Sequence, residues 1–193
     1  MILTPELLLF AYSQGVFPMA EEDDAINWYD PDPRAIIPLD TFHVSRSLAR
    51  TIRRDRFEVR FDSAFQTVME RCAEPAPGRE RSWISQEFID VYSELHRLGF
   101  AHSVESWLEG ELVGGLYGIT LGGLFAGESM FSRDTDSSKV ALVYLVERLR
   151  EQGFVLLDTQ FMTEHLRRFG AVEIRRFEYK ARLARALAVR AQF

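Results

Sequence analysis

Three strands written almost end to end constrain this chain more than any other feature. Ala101 to Trp107 alternates well enough to be a strand, Glu109-Gly110 turns it, and Leu112 to Leu121 runs back. Gly122-Gly123 then stands before a third run, Leu124 to Phe131. Primed two-residue turns need positive φ, which successive glycines supply at little steric cost, so the text reads as an antiparallel meander. The centre of its third strand, Ala126-Gly-Glu-Ser129, is small on both sides of one carboxylate. A strand glycine often marks close approach of a ligand or another backbone, so Glu128 is placed where something can reach it.

Around the meander the chain reads as short helices and strands. Pro5 to Gln14 is a helix with Thr4 as N-cap and Pro5 at its first position, closed by Gly15. Ala20 to Leu39, with Pro31, Pro33 and Pro38 and several acids, is expected to be an irregular but ordered crossing that holds Trp28-Tyr29. Ser45 to Arg54 is a helix and Phe57 to Phe61 a strand; Asp62 caps a helix to about Cys72, and Glu74 to Arg81 is a Pro/Gly loop. A helix over Ser85 to Leu98 leads into the meander. Beyond it come a helix from about Ser138 to Gln152 and an apolar strand over Phe154 to Asp158. Thr163 caps a short helix ending at Gly170; a last strand, Val172 to Phe177, and a basic helix, Tyr179 to Val189, follow. Antiparallel strands followed by helix, strand, helix, strand give an α+β layer structure.

Composition narrows the chemistry. No apolar run approaches a membrane span, and the start lacks a basic region followed by an apolar stretch, so neither a span nor a secretion signal is expected. A single cysteine, Cys72, excludes an internal disulfide and suits a reducing cytosol. His43, His96, His102 and His165 are scattered without ligand spacing, so no metal or other cofactor is expected. The net charge is −6, yet Arg46, Arg50, Arg53 and Arg54 follow i, i+4, i+7, i+8 and share one face of their helix. Such a stripe is the footprint of a phosphate backbone; it is equally a solvated helix face.

Several strings keep a fixed order along the chain: Gly15-Val-Phe-Pro18, Trp28-Tyr-Asp-Pro-Asp-Pro-Arg34, His102-Ser-Val-Glu105, Leu112-Val-Gly-Gly-Leu-Tyr-Gly118, Gly127-Glu-Ser-Met-Phe-Ser132, Ser137-Ser-Lys139 and Asp158-Thr-Gln160. From about Leu3 to about Phe177 the chain resembles the leucyl/phenylalanyl-tRNA–protein transferase family. The resemblance implies a mixed sheet with flanking helices similar to the N-acetyltransferase (GNAT-type) fold over 43–193, and a small N-terminal domain over 1–42, shortened relative to the family. It implies a cytoplasmic monomer with no membrane partner. Its activity would be moving Leu or Phe, with Met as a further donor, from charged tRNA to the α-amine of proteins that begin with Arg or Lys, marking them for degradation.

On the residues alone, Asp158 equally caps the turn after its strand, and Glu128 equally faces solvent. The resemblance places Asp158, Gln160 and Glu128 at the reactive centre, with Asp158 orienting the amine and relaying its proton through Gln160. Glu128 and Asp158 would make the negative pocket that an N-terminal Arg or Lys needs. Leu116, Phe125, Met130 and Leu157 resemble the lining of the donor's apolar slot, although each also fits a plain core. Trp83 matches a family tryptophan position for stacking the terminal adenosine, with Tyr12, Trp28 and Tyr92 as further candidates. Arg46, Arg50, Arg53 and Arg54 would meet tRNA phosphates. Met19, Asp30, Asp136 and Thr163 stand where the family usually has other residues, and a segment typical of its N-terminus is not in this sequence. Two other readings stay open: a transferase with altered acceptor specificity, and a tRNA- or degron-binding module without turnover. An acetyl-CoA-dependent enzyme is disfavoured, because Asp134-Thr-Asp-Ser-Ser-Lys139 stands where a glycine-rich pyrophosphate loop would open the helix.

Overall fold

A computed structural model describes residues 3–21, 25–75 and 82–193. The meander forms as its text demands: β5 (Ala101–Leu108), β6 (Glu111–Leu121) and β7 (Leu124–Ser132) pair antiparallel in sequence. The strand β4 (Glu58–Phe61) extends it on one side. On the other side β8 (Leu156–Gln160) lies parallel to β7, and β3 (Arg34–Ile37) fits antiparallel between β8 and β9 (Val172–Ile174). The sheet order is therefore β4-β5-β6-β7-β8-β3-β9, a mixed seven-stranded sheet in an α+β fold.

Helices cover both faces. α1 (Pro5–Ser13), α3 (Phe65–Ala73), α4 (Gln86–Arg97) and α7 (Arg176–Leu187) share one core, which includes Leu8, Val68, Phe88, Tyr117, Ala126 and Leu183. α2 (Arg46–Arg53), α5 (Ser137–Glu151) and α6 (Glu164–Arg167) close the other, around Leu48, Leu116, Val143, Leu157 and Leu166. Thr4 and Thr163 cap α1 and α6 through hydroxyl acceptors, as the sequence indicates, and Ser45, expected inside its helix, caps α2 in the same way. Among the described residues no helix is long and apolar enough to cross a membrane.

Several expectations are corrected. The proline-rich stretch is not irregular throughout: β1 (Phe17–Ala20) and β2 (Ile26–Tyr29) form a separate antiparallel hairpin, and β3 lies inside the main sheet. Pro31, Pro33 and Pro38 flank Arg34–Ile37 rather than interrupt it, because proline bars a central strand only where its missing N–H would be needed. The main sheet thus takes in a segment that the sequence reading grouped with residues 1–42. Asp62 does not cap α3, whose N-terminus is instead met by Glu105 from β5. That buried carboxylate accepts from Ser63 N and Ala64 N at 3.1 and 3.2 Å, from Ser103 Oγ at 2.6 Å, and from the Ser63 hydroxyl. A negative group there also complements the helix dipole. The strand expected to end at Asp158 continues to Gln160, and α7 begins at Arg176, inside the expected last strand. Of the Glu74–Arg81 loop, residues 76–81 lie outside the described residues.

Two of the ordered strings prove to be packing devices. A Cβ at Gly114 would stand 2.3 Å from Ser137 Oγ, so β6 can lie against the first turn of α5 only with glycine there. Ser137 Oγ in turn bonds Val113 O at 2.9 Å and Asp134 O at 2.8 Å, tying the start of α5 to the sheet.

Candidate active site

The parallel pairing of β7 with β8 stops at Ala126–Asp158. Beyond that point β7 runs on to Ser132 while β8 ends at Gln160, and a cavity of about 300 Å³ occupies the opening. Register along β6–β7 slips at the same level: Tyr117 faces Ser129, but Gly118 faces Gly127. Glu128 is the extra residue of this β-bulge, a device that re-aims a side chain. Gly118 makes the bulge possible, since a Cβ there would lie 2.3 Å from Ala126 O and 2.4 Å from the Phe125 ring.

Thus aimed, Glu128 lines the cavity and meets three other polar side chains. Its Oε1 accepts from Tyr12 Oη at 2.7 Å and from Gln160 Nε2 at 3.1 Å. The Tyr92 hydroxyl lies 2.7 Å from that of Tyr12 and completes the chain by donating to it. Burial pushes the Glu128 carboxyl up to about 8; the nearby Asp158 charge adds to this, against the Tyr12 and Gln160 hydrogen bonds and the Arg34 charge. Tyr12 and Tyr92 are raised well above the ordinary phenol value, first by burial and then by the Glu128 charge, and stay protonated donors.

Asp158 lies behind this group and is fully enclosed. Arg34 grips it with both arms, Nε to Oδ1 at 2.9 Å and Nη2 to Oδ2 at 2.6 Å. Tyr179 Oη donates to Oδ2 at 2.8 Å, and the Gln160 backbone N–H to Oδ1 at 2.9 Å. Four donors fill both oxygens, so the carboxylate has no free site to offer a substrate. Arg34 is likewise enclosed: Nη1 donates to Gly15 O at 3.0 Å, and the guanidinium lies 4.7 Å from the Phe17 ring centre and 4.4 Å from that of Tyr179. Burial works against the Arg34 charge, but the Asp158 carboxylate outweighs it and the arginine pKa rises. Gln160, held by Asp158, adopts the left-handed conformation with φ of 62°, an uncommon state for a residue with a side chain. That turn ends β8 and carries the Gln160 amide to Glu128.

Of the residues singled out from sequence, Glu128, Gln160, Trp83, Leu116, Met130 and Leu157 meet at the cavity. Tyr12 and Tyr92 belong to the cluster in another capacity: both are buried, so they present hydroxyls to Glu128 and no open ring face to a base. Phe125 is buried beside the lining, against Phe193. Trp28 lies opposite Pro18 in the β1–β2 hairpin and packs on the core, and does not line the cavity. Arg46, Arg50, Arg53 and Arg54 are exposed at α2, whereas neighbouring Arg56 is engaged with Asp134 at 2.7 and 2.9 Å. Sequence reasoning missed Arg34 and Tyr179 as partners of Asp158. The one signal was that Arg34 closes the Trp28–Arg34 string.

An apolar slot whose wall carries one carboxyl of raised pKa suits an enzyme that seats an apolar group beside a proton acceptor. Within that class the chain belongs to the leucyl/phenylalanyl-tRNA–protein transferase family. The family's description, "Leucyl/phenylalanyl-tRNA protein transferase", matches residues 36–184, and its N-terminal domain matches residues 1–32. A protein named leucyl/phenylalanyl-tRNA–protein transferase from Herpetosiphon aurantiacus is 64% identical over 99% of this chain and 98% of its own length. Those of the same name from Paramagnetospirillum magneticum and Gloeobacter violaceus are 57% and 58% identical, over 99% of this chain and 92% and 97% of theirs. Among solved structures, L-PGS from Bacillus licheniformis aligns with a TM-score of 0.47 at 18% identity, over 84% of this chain and 54% of that one.

Proposed function

We propose that this chain transfers leucine or phenylalanine from charged tRNA to the α-amine of an acceptor protein, with Glu128 as the group that receives the amine's proton. The observation that carries the reading is Glu128 itself: a carboxyl at the wall of an apolar slot with its pKa near 8. An α-amine titrates at about 7.7–8.0, so proton transfer between the two is nearly balanced, the condition under which a general base works best. An aminoacyl ester is already activated. The acceptor nitrogen attacks its carbonyl, the C–N bond forms, and the amine proton passes to Glu128. The ester C–O bond then breaks, and the proton returns to the ribose oxygen that leaves. Holding the two reactants in line supplies much of the rate.

Asp158, with all four acceptor positions filled, takes a different part from the relay expected of it. It fixes Gln160 and Arg34, and Gln160 fixes Glu128. Leu116, Met130 and Leu157 seat the donor side chain, and Met adapts to more than one shape, which suits Leu, Phe and Met donors. Trp83 is left as the stacking candidate at the cavity, and the α2 arginines as the phosphate contacts. Glu128, ionised when a cation arrives, suits an acceptor beginning with Arg or Lys. The separate β1–β2 hairpin supports reading the part of residues 1–42 that precedes β3 as a small N-terminal unit, and the parallel β7–β8 pair that parts beside the site supports an N-acetyltransferase-like frame for the rest of the chain. Action in the cytosol and marking of the product for degradation complete the reading.

The test is incubation with Leu-tRNA or Phe-tRNA, radiolabelled on the amino acid, and proteins bearing N-terminal Arg or N-terminal Asp. Label on the Arg protein alone is expected. Absence of label from both, with charged tRNA bound and unconsumed, would overturn the reading in favour of a binding module.

A further inference from the structure

The slot that would seat the donor side chain is not wholly apolar. Two polar atoms in residues of its wall, Thr159 Oγ1 and His165 Nε2, are buried and have no hydrogen-bond partner. A buried polar atom left without a partner costs free energy that the fold usually avoids, so two of them in one small cavity call for a ligand. Thr159 stands two residues beyond Leu157 on β8, His165 at the start of α6, and all three line the cavity. Both elements border the α5 face of the sheet, with Leu116 and Leu142, while Tyr12 and Tyr92 belong to the core of the opposite face. The unpartnered atoms therefore lie on the donor's side of the opening, not the acceptor's.

Resting on the transferase reading above, we infer that Thr159 Oγ1 and His165 Nε2 hold the α-amino group of the donor aminoacyl end. Every aminoacyl ester carries this group one carbon from its reacting carbonyl, so it must follow the side chain into the slot. A neutral amine offers two N–H donors and one lone pair. An imidazole with its proton on Nδ1 accepts at Nε2, and a threonine hydroxyl can accept or donate. Burial, with the Lys139 and Arg168 charges adding to it, holds the His165 pKa below the ordinary value, so the ring is a neutral acceptor near pH 7. The same two cations disfavour an ammonium form of the donor amine. The pair thus selects an α-amino acyl group over an acyl group that merely fits the slot.

Two stable adenosine analogues separate these cases: a 3′-phenylalanylamido compound and its desamino counterpart, 3′-(3-phenylpropionylamido). Wild-type protein is expected to bind the first about ten-fold or more tightly than the second, the scale of a hydrogen bond to a buried partner. His165→Ala and the isosteric Thr159→Val should each weaken the amine-bearing analogue and leave the desamino one unchanged, collapsing the ratio. Equal binding of both analogues by wild type, or variants that weaken both alike, would overturn the assignment. Thr159→Val decides the matter should His165→Ala fail to fold. Absence of binding for either analogue would sink the donor-slot reading and this inference with it. A collapsed ratio without label on the Arg protein would support the amine site while overturning the transfer reaction.

Discussion

Replacing Glu128 by glutamine tests the site through stability as well as rate. The glutamine amide is isosteric with a protonated carboxyl, and its Oε1 can still accept from Tyr12 and Gln160. In the folded protein the Glu128 pKa rises from 4.5 to about 8. At about 1.4 kcal/mol per pKa unit that is at most roughly 5 kcal/mol, and the partial exposure of Glu128 at the cavity reduces it to roughly 3 kcal/mol. The sign follows from proton counts. Between pH 4.5 and 8 the folded state holds the Glu128 proton that the unfolded chain has released, so stability contributed at this position is full below pH 4.5 and falls as pH rises to 8. Glu128→Gln lacks this loss. Urea unfolding from about pH 4 to about pH 9 should show the variant gaining on the parent across that window, by about 3 kcal/mol at about pH 8.5. In transfer assays the same variant should lose about 10²–10⁴-fold in kcat, while the parent's rate climbs from about pH 7 and levels off above about 8.5. Parallel stability curves for the two proteins would refute the claim that Glu128 is held protonated, and with it the matching of base to amine.

Other perturbations address the frame around the site. Arg34→Met leaves Asp158 buried without its cation and should cost about 3–5 kcal/mol in chemical unfolding; adding Asp158→Asn should restore part of the loss. Gly118→Ala forces the β7 bulge apart and should lower stability by roughly 1–3 kcal/mol or more, with near-UV circular dichroism reporting the disturbance beside Phe125. Glu105→Ala strips the N-terminus of α3 of its acceptor and should cost about 2–3 kcal/mol, read by thermal unfolding, with little change in KM. Arg50→Glu with Arg53→Glu should weaken tRNA binding and flatten its salt dependence by about 0.9 for each phosphate no longer neutralised, leaving binding of adenosine-based donor analogues unaltered.

Local features were legible in the sequence because local chemistry decides them. Thr4 and Thr163 cap their helices, and Gly122-Gly123 turns between β6 and β7, from residues that neighbour their effects. What escaped depends on partners far along the chain. Arg34–Ile37 becomes a strand because β8 and β9 come to lie on either side of it, a circumstance that its prolines conceal. Asp158 stood out in the sequence through its string, but the donors that occupy it come from positions 34 and 179 as well as from Gln160. Tyr12 and Tyr92 were legible as aromatic but not as hydroxyl donors, since only the packing of α1 against α4 hides their rings and joins their oxygens. His102-Ser-Val-Glu105 marks a helix cap, and Gly114 with Ser137 a close packing, so ordered strings of this kind mix architecture with chemistry.

The insertion of β3 between β8 and β9 imposes an order on how the protein is made. As the chain emerges from a ribosome, Arg34 appears well before Asp158, to which it is joined across 124 positions. Strands β4 to β7 pair only with sequential neighbours and can associate as they arrive. β3 must instead wait, unpaired, for both flanking strands, and long-range closure of this kind comes late because its entropic cost precedes its reward. The ion pair that sets Gln160, and through it Glu128, is thus sealed near the end of folding, and a nascent chain that already holds the cavity's α5 wall still lacks the carboxyl cluster that completes it.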